Sequence, residues 1–112
     1  MEMLHNFEYA AVRYVLAAPQ IAERTVPYLR DGDFDFAGLE QESETMSNGE
    51  RLLVRIAREL WLAEKTTGLW QVVRQLDRGN FVRVLEALRI ARGDYAWDVV
   101  CDVLAGDARL AA

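Results

Sequence analysis

Acidic side chains in the first half of the chain have the spacing of an EF-hand calcium loop. Counted from Asp31, carboxylates fall at positions 1, 3, 5 and 12, which are Asp31, Asp33, Asp35 and Glu42. The pattern departs from that loop twice, because Phe36 stands where a sharp turn requires glycine and Gly38 stands at a normally apolar position. We therefore predict no metal site but an acidic turn, in which Asp35 caps a short helix. An anionic patch that docks on a basic partner is the alternative.

The chain has one histidine and one cysteine, and neither has the neighbours that catalysis or zinc binding requires. His5 has no cysteine or second histidine with which to hold zinc. Cys101 follows Trp97 on the apolar side of the last predicted helix, so we expect it to be a small buried hydrophobe. No glycine-rich phosphate-binding motif and no nucleophile elbow is present. We predict no enzyme activity, no catalytic residue and no cofactor.

Charge is unevenly distributed along the chain. Residues 1–49 carry nine acids and three bases, residues 50–92 carry nine bases and five acids, and residues 93–112 carry four acids and one base. The net charge of the whole chain is −5. A cationic middle between anionic ends indicates that the segments meet one another or meet a charged partner.

Nucleic-acid binding is the alternative function that this cationic middle suggests. Helices predicted over Leu69–Leu76 and Asn80–Arg92, joined by three residues, have the layout of a helix-turn-helix. Four arginines would then contact phosphates: Arg74, Arg78, Arg89 and Arg92. The acidic net charge is unusual for a small DNA-binding domain, and the middle of the second helix lacks polar side chains that read bases.

Protein binding is the function that we favour from the sequence, on the basis of apolar and cationic side chains that share a helix face. Val54 and Trp61 lie seven residues apart, on the side of their helix that also carries Arg58 and Lys65. An exposed tryptophan beside cations is typical of an interface anchor. Trp70 and Tyr95 are further candidates. Since a central helix is covered on two sides, the alternative is that Val54 and Trp61 belong to the core.

Apolar residues recur every three or four positions along most of the chain, which predicts an all-α fold: a compact bundle of five to seven short helices with no sheet. The strongest helix start is Ser47-Asn48-Gly49-Glu50, a capping box that opens a helix running to about Lys65. The other predicted helices cover residues 3–17, 20–29, 36–42, 69–76, 80–92 and 95–105, the last of them capped by Asp94. The helix over 80–92 is predicted to turn five residues inward: Phe81, Val84, Leu85, Leu88 and Ala91.

The organisation that we predict is one helical domain over 1–112, with acidic N-terminal helices and a loop over 1–45 and a helical core unit over 46–112. Its 52% hydrophobic residues are enough for a core. The N-terminus does not look like a signal peptide and no apolar stretch reaches the length of a membrane span, so we expect a cytoplasmic protein that does not bind membranes. Its partner would be another protein, or itself as a homodimer. The twelve arginines against one lysine are typical of a GC-rich bacterium or its phage.

Overall fold

Helices form over most of the segments that show helical spacing. The computed structural model describes residues 6–106, and within them it has seven α-helices, a short 3-10 helix and two strands. The α-helices are α1 (Phe7–Leu16), α2 (Ala22–Thr25), α3 (Phe36–Ser43), α4 (Asn48–Leu62), α5 (Leu69–Gln75), α6 (Arg78–Ala91) and α7 (Trp97–Ala105). The 3-10 helix is Val26–Tyr28, and the strands are β1 (Leu29–Arg30) and β2 (Asp33–Phe34). The prediction of a mostly helical fold is confirmed.

The prediction that the chain has no sheet is wrong. β1 and β2 form a small antiparallel hairpin in which Leu29 pairs with Phe34 and Arg30 pairs with Asp33. Gly32 turns the chain between them at a φ of 74°, a conformation that glycine adopts at little cost. The acidic turn that the sequence predicts is present at these residues. Each strand is only two residues long, too short for an alternating apolar pattern to reveal it.

Helix α1 lies at the centre of the fold. Five of its ten residues are buried, namely Ala10, Ala11, Val12, Val15 and Leu16. The adjacent alanines have small side chains, so neighbouring helices can approach the α1 backbone closely. Helices α4 and α6 pack against α1, and α7 makes a smaller contact. The broad apolar surface that the sequence shows on this helix is therefore covered by several partners.

The start of α4 is confirmed as a capping box. The Ser47 hydroxyl accepts a hydrogen bond from the Glu50 backbone N–H at 3.3 Å, and the Glu50 carboxylate accepts one from the Ser47 N–H at 3.0 Å. The helix ends at Leu62, before the predicted Lys65, because Ala63 adopts a left-handed conformation with a φ of 58°. This early end turns the chain towards α5.

Helix α6 is rotated relative to the prediction. Asp77 caps it by accepting a hydrogen bond from the Asn80 N–H, and its buried residues are Asn80, Arg83, Val84, Ala87 and Ile90. Leu85 and Leu88, predicted to point inward, are 45% and 42% exposed. The reason is that α1 packs against another side of α6, and the described residues cover these two leucines only in part. The extra apolar side of α6 therefore faces outward.

Helix α7 also differs from the prediction. It begins at Trp97, and its cap position is Ala96, which makes no side-chain cap bond. Asp94, the predicted cap, instead lies 3.6 Å from Arg89 and 3.4 Å from Arg92. Cys101 is exposed, so the expectation that it is buried is wrong. None of the helices within residues 6–106 is long and apolar enough to cross a lipid bilayer.

Candidate functional site

The acidic segment that resembles a calcium loop is engaged with the rest of the protein. The Asp35 carboxylate accepts a hydrogen bond from the Gly38 N–H at 3.0 Å and so caps α3, as predicted. The Asp33 carboxylate accepts one from the Trp61 indole N–H at 3.1 Å. Between residues 6 and 106 no three histidine, cysteine or acidic side chains converge as metal ligands. His5 lies outside the described residues.

Glu42, the last acid of this segment, ties α3 to the chain before it. Its carboxylate accepts hydrogen bonds from the Arg24 guanidinium at 2.7 Å and from the Tyr28 hydroxyl at 3.0 Å. These two bonds, Arg24 first, hold the pKa of Glu42 below its ordinary value of 4.5. The carboxylate therefore stabilises the fold in its charged form.

The lowered pKa of Glu42 predicts how the stability of the protein changes with pH. Because the folded-state pKa is depressed, the stabilisation is present above the unfolded pKa and is lost as the pH falls below about 4.5. Glu42→Gln should lower the free energy of unfolding near neutral pH, and its difference from the wild type should shrink in acid. Urea unfolding between pH 3 and 7 measures this. Glu44→Gln, at an exposed position two residues on, is the control, and a pH-independent Glu42→Gln difference would contradict the prediction.

Val54 and Trp61 are predicted to lie either in the core or at an interface. In the structure Val54 belongs to the core, where it is 2% exposed. Trp61 is half-buried. Its ring makes edge contacts with Tyr9 and Phe34, at centroid distances of 6.0 and 5.2 Å. Together with its bond to Asp33, these contacts join the β hairpin to α1 and α4. Neither residue belongs to a free apolar surface.

Arg58 and Tyr95 are engaged with acids. Arg58 pairs with Glu40 and, at 3.0 Å, with Glu64. The Tyr95 hydroxyl donates to Glu86, and this carboxylate raises the pKa of Tyr95 above its ordinary value of 10.0. Tyr95 and Glu86 also line a mainly apolar cavity of about 300 Å³ between α1, α6 and α7.

Exposed apolar side chains concentrate on α5 and α6. Leu69, Trp70 and Val73 on α5 are 84%, 67% and 61% exposed, and no residue of this helix is buried. On α6, Val82 is 54% exposed and continues into Leu85 and Leu88 at helical spacing. We call these six residues the apolar face: Leu69, Trp70, Val73, Val82, Leu85 and Leu88.

A groove joins the two halves of the apolar face. It lies between α4, α5 and α6, has a volume of about 160 Å³, and its lining includes Leu69 from α5 and Leu88 from α6. Pockets for cofactors and drug-sized ligands typically measure about 300–1,000 Å³, so this groove has room for a large side chain rather than such a ligand. Glu59 and Thr67 also line it. Each has a side-chain oxygen that is shielded from water and has no hydrogen-bond partner among the described residues.

Cations border the apolar face. Lys65 and the four arginines predicted as nucleic-acid contacts are exposed: Arg74, Arg78, Arg89 and Arg92. The Arg74 guanidinium lies 4.5 Å from the centre of the Trp70 ring. Among residues 6–106, no carboxylate lies within ion-pair distance of Lys65, Arg74 or Arg78. On α6, Arg78, Leu85 and Arg89 share one side, so an apolar side chain stands between the arginines.

The sequence predicts only Trp70 and the neighbouring cations of this surface. Its patterns do not identify Leu69, Val73 and Val82, and they predict that Leu85 and Leu88 point into the core. A signal was present, because α6 carries large apolar residues on more of its circumference than one neighbouring helix covers. The sequence pattern of α6 alone does not show which of its two apolar sides packs against a neighbouring helix.

Comparison with known proteins adds no assignment to this geometry: no protein-family model, no curated protein and no solved structure matches the chain.

Proposed function

We propose that this chain is a protein-binding module that acts as an adaptor, an inhibitor or a subunit of an assembly, and that the apolar face on α5 and α6 is its docking surface. The observation that carries the proposal is the exposure of three large apolar side chains on one seven-residue helix, led by Leu69 at 84% and Trp70 at 67%. Contiguous exposed apolar surface on a small protein is typical of an interaction site.

The composition of the surface supports this function. Tryptophan and arginine are the residues most enriched among those that dominate binding energy at protein interfaces, and here Arg74 stacks on Trp70. The groove beside Leu69 and Leu88 offers a recess into which a partner side chain fits. A surface with apolar anchors, a recess and a cationic border has the parts of a standard interface.

The test is the loss of a defined complex when the apolar face is made polar. A protein captured from an extract of the source organism would be identified, purified and titrated by calorimetry. Trp70→Ser combined with Val73→Ser should weaken its binding by about thirtyfold or more, since loss of an anchoring residue costs about 2 kcal/mol.

The matched control is Val26→Ser combined with Val99→Ser, which removes apolar side chains of similar exposure, 60% and 47%, from the 3-10 helix and α7. This variant should bind as the wild type does. Equal losses in both variants, or none in either, would contradict the assignment of the docking surface. The same proposal includes a homodimer, in which the partner is a second copy of the chain. Sedimentation of the wild-type protein over a range of concentrations tests for this homodimer.

A further inference from the structure

We infer that the partner presents an acidic amphipathic helix to the apolar face, with its apolar side on α5 and α6 and its carboxylates opposite Lys65, Arg74 and Arg78. This inference rests on the proposed function and specifies the chemistry of the partner. Helix-in-groove docking of this kind uses apolar anchors one helical turn apart.

The charges on α4, α5 and α6 are the first argument. Each acid of this region has a contact within the protein or an oxygen shielded from water. The Glu50 and Asp77 carboxylates accept backbone N–H groups at helix starts, Glu64 pairs with Arg58, Glu86 accepts from Tyr95, and one oxygen of Glu59 is buried. Lys65, Arg74 and Arg78 are exposed, with no carboxylate of the described chain in ion-pair distance. Residues 50–92 carry nine bases against five acids, so the charge around the apolar face is cationic on balance, and electrostatic complementarity favours an anionic partner.

The shape of the face is the second argument. Exposed apolar side chains occur at Leu69 and Val73 on α5, four residues apart, and at Val82, Leu85 and Leu88 on α6, three apart. Leu69 and Leu88, one from each row, line the groove, which can accept the ridge of a third helix.

A second copy of the chain fits this surface less well. A twofold interface brings the same patch together from both subunits, so it would combine the cations of two copies without adding carboxylates to pair with them. Docking on the acidic segment of another copy is also disfavoured, because Asp35, Glu40 and Glu42 already pair with arginines of their own chain.

Nucleic acid would satisfy the cations but not the apolar side chains between them. Val82 and Leu85 separate Arg78 from Arg89 on the exposed side of α6, and neither side chain can donate to phosphate or to a base edge. A duplex laid on this face would leave the six apolar residues without an apolar contact. A folded helix with both kinds of side chain satisfies both.

The inference is tested with a displayed library of 18-residue helical peptides. Apolar residues are fixed along one stripe, and the flanking positions are randomised equally among Glu, Lys and Gln. Selection uses the wild-type chain, with the Trp70→Ser/Val73→Ser variant as the counter-selection. We expect enriched peptides to carry more Glu than Lys. The enriched peptide, once synthesised, should bind about tenfold more weakly to Arg74→Glu/Arg78→Glu, and normally to the charge-matched control Arg13→Glu/Arg51→Glu.

The outcomes separate this inference from the proposed function. Enrichment of Lys-rich or neutral peptides that still require Trp70 and Val73 would overturn the acidic partner and leave the docking surface in place. Peptides that bind both variants equally, or no enrichment at all, would remove the docking surface as well. Phosphatidylglycerol vesicles, a 20-base-pair DNA duplex and the chain itself are titrated in parallel. Binding of any of these through Arg74 and Arg78 more tightly than the acidic peptide would also overturn the inference.

Discussion

Leu53→Ala is expected to lower the free energy of unfolding by about 3 kcal/mol, the largest effect of a single substitution that we predict. Leu53 is fully buried on α4, at 0% exposure, and belongs to the hydrophobic core. Removing a buried leucine side chain loses its transfer free energy and leaves a cavity, for a total of about 2–5 kcal/mol. Domains of this size are stable by about 5–15 kcal/mol, so the loss is a large fraction of the total. Urea unfolding followed by tryptophan fluorescence measures it.

The control for this prediction is the same chemical change on the apolar face. Leu69 is 84% exposed at the start of α5, so Leu69→Ala should change the free energy of unfolding by less than about 0.5 kcal/mol. The pair therefore separates the packing role of an apolar residue from the binding role that we propose. A loss of several kcal/mol at Leu69 would show that α5 is covered in the folded monomer, and would contradict the docking surface.

Arg83→Ala is expected to lower the free energy of unfolding by about 2–3 kcal/mol, since hydrogen bonds to charged groups are worth about 1.5–3 kcal/mol. Arg83 is only 8% exposed on α6. Its guanidinium donates to the Tyr14 carbonyl oxygen at 2.7 Å and lies 4.3 Å from the centre of the Tyr14 ring. That carbonyl belongs to the last turn of α1, where a helix favours a nearby cation. Thermal and urea unfolding both measure the loss.

Two substitutions check this role of Arg83. Arg83→Lys keeps the charge but loses the planar group that stacks on Tyr14, so its stability should fall between those of the wild type and Arg83→Ala. Arg78→Ala removes an exposed arginine from the first turn of α6, where a cation is slightly unfavourable, and should leave stability unchanged or a little higher. Equal effects at Arg83 and Arg78 would contradict the buried bridge between α6 and α1.

Local signals in the sequence predict the boundaries of several helices well. The capping box at Ser47 and Glu50 and the cap at Asp35 are both present in the structure. Each of these signals depends on residues within a few positions of one another, and at that short range the sequence determines local structure. Asp94 shows the limit, because its carboxylate pairs with arginines instead of capping the next helix.

Which side of a helix turns inward depends on distant segments, and the sequence predicts it poorly. Helix α6 has apolar residues at Val84 and Leu85, one position apart and therefore on different sides. Tertiary packing decides that Val84, which lines the groove between α4, α5 and α6, is buried and that Leu85 is exposed. The same uncertainty applied to Val54, whose burial follows from packing of α4 on its neighbours. The proposed docking surface therefore depends on tertiary packing and could not be predicted from the sequence, apart from Trp70.

The outward position of Cys101 has a practical consequence. It is the only cysteine in 112 residues, and its thiol is accessible on α7 rather than packed in the core. A maleimide dye can therefore be attached at a single defined point without mutagenesis, while the six residues of the apolar face keep their native side chains. Fluorescence anisotropy of the labelled chain would then report every titration described above at nanomolar protein concentrations.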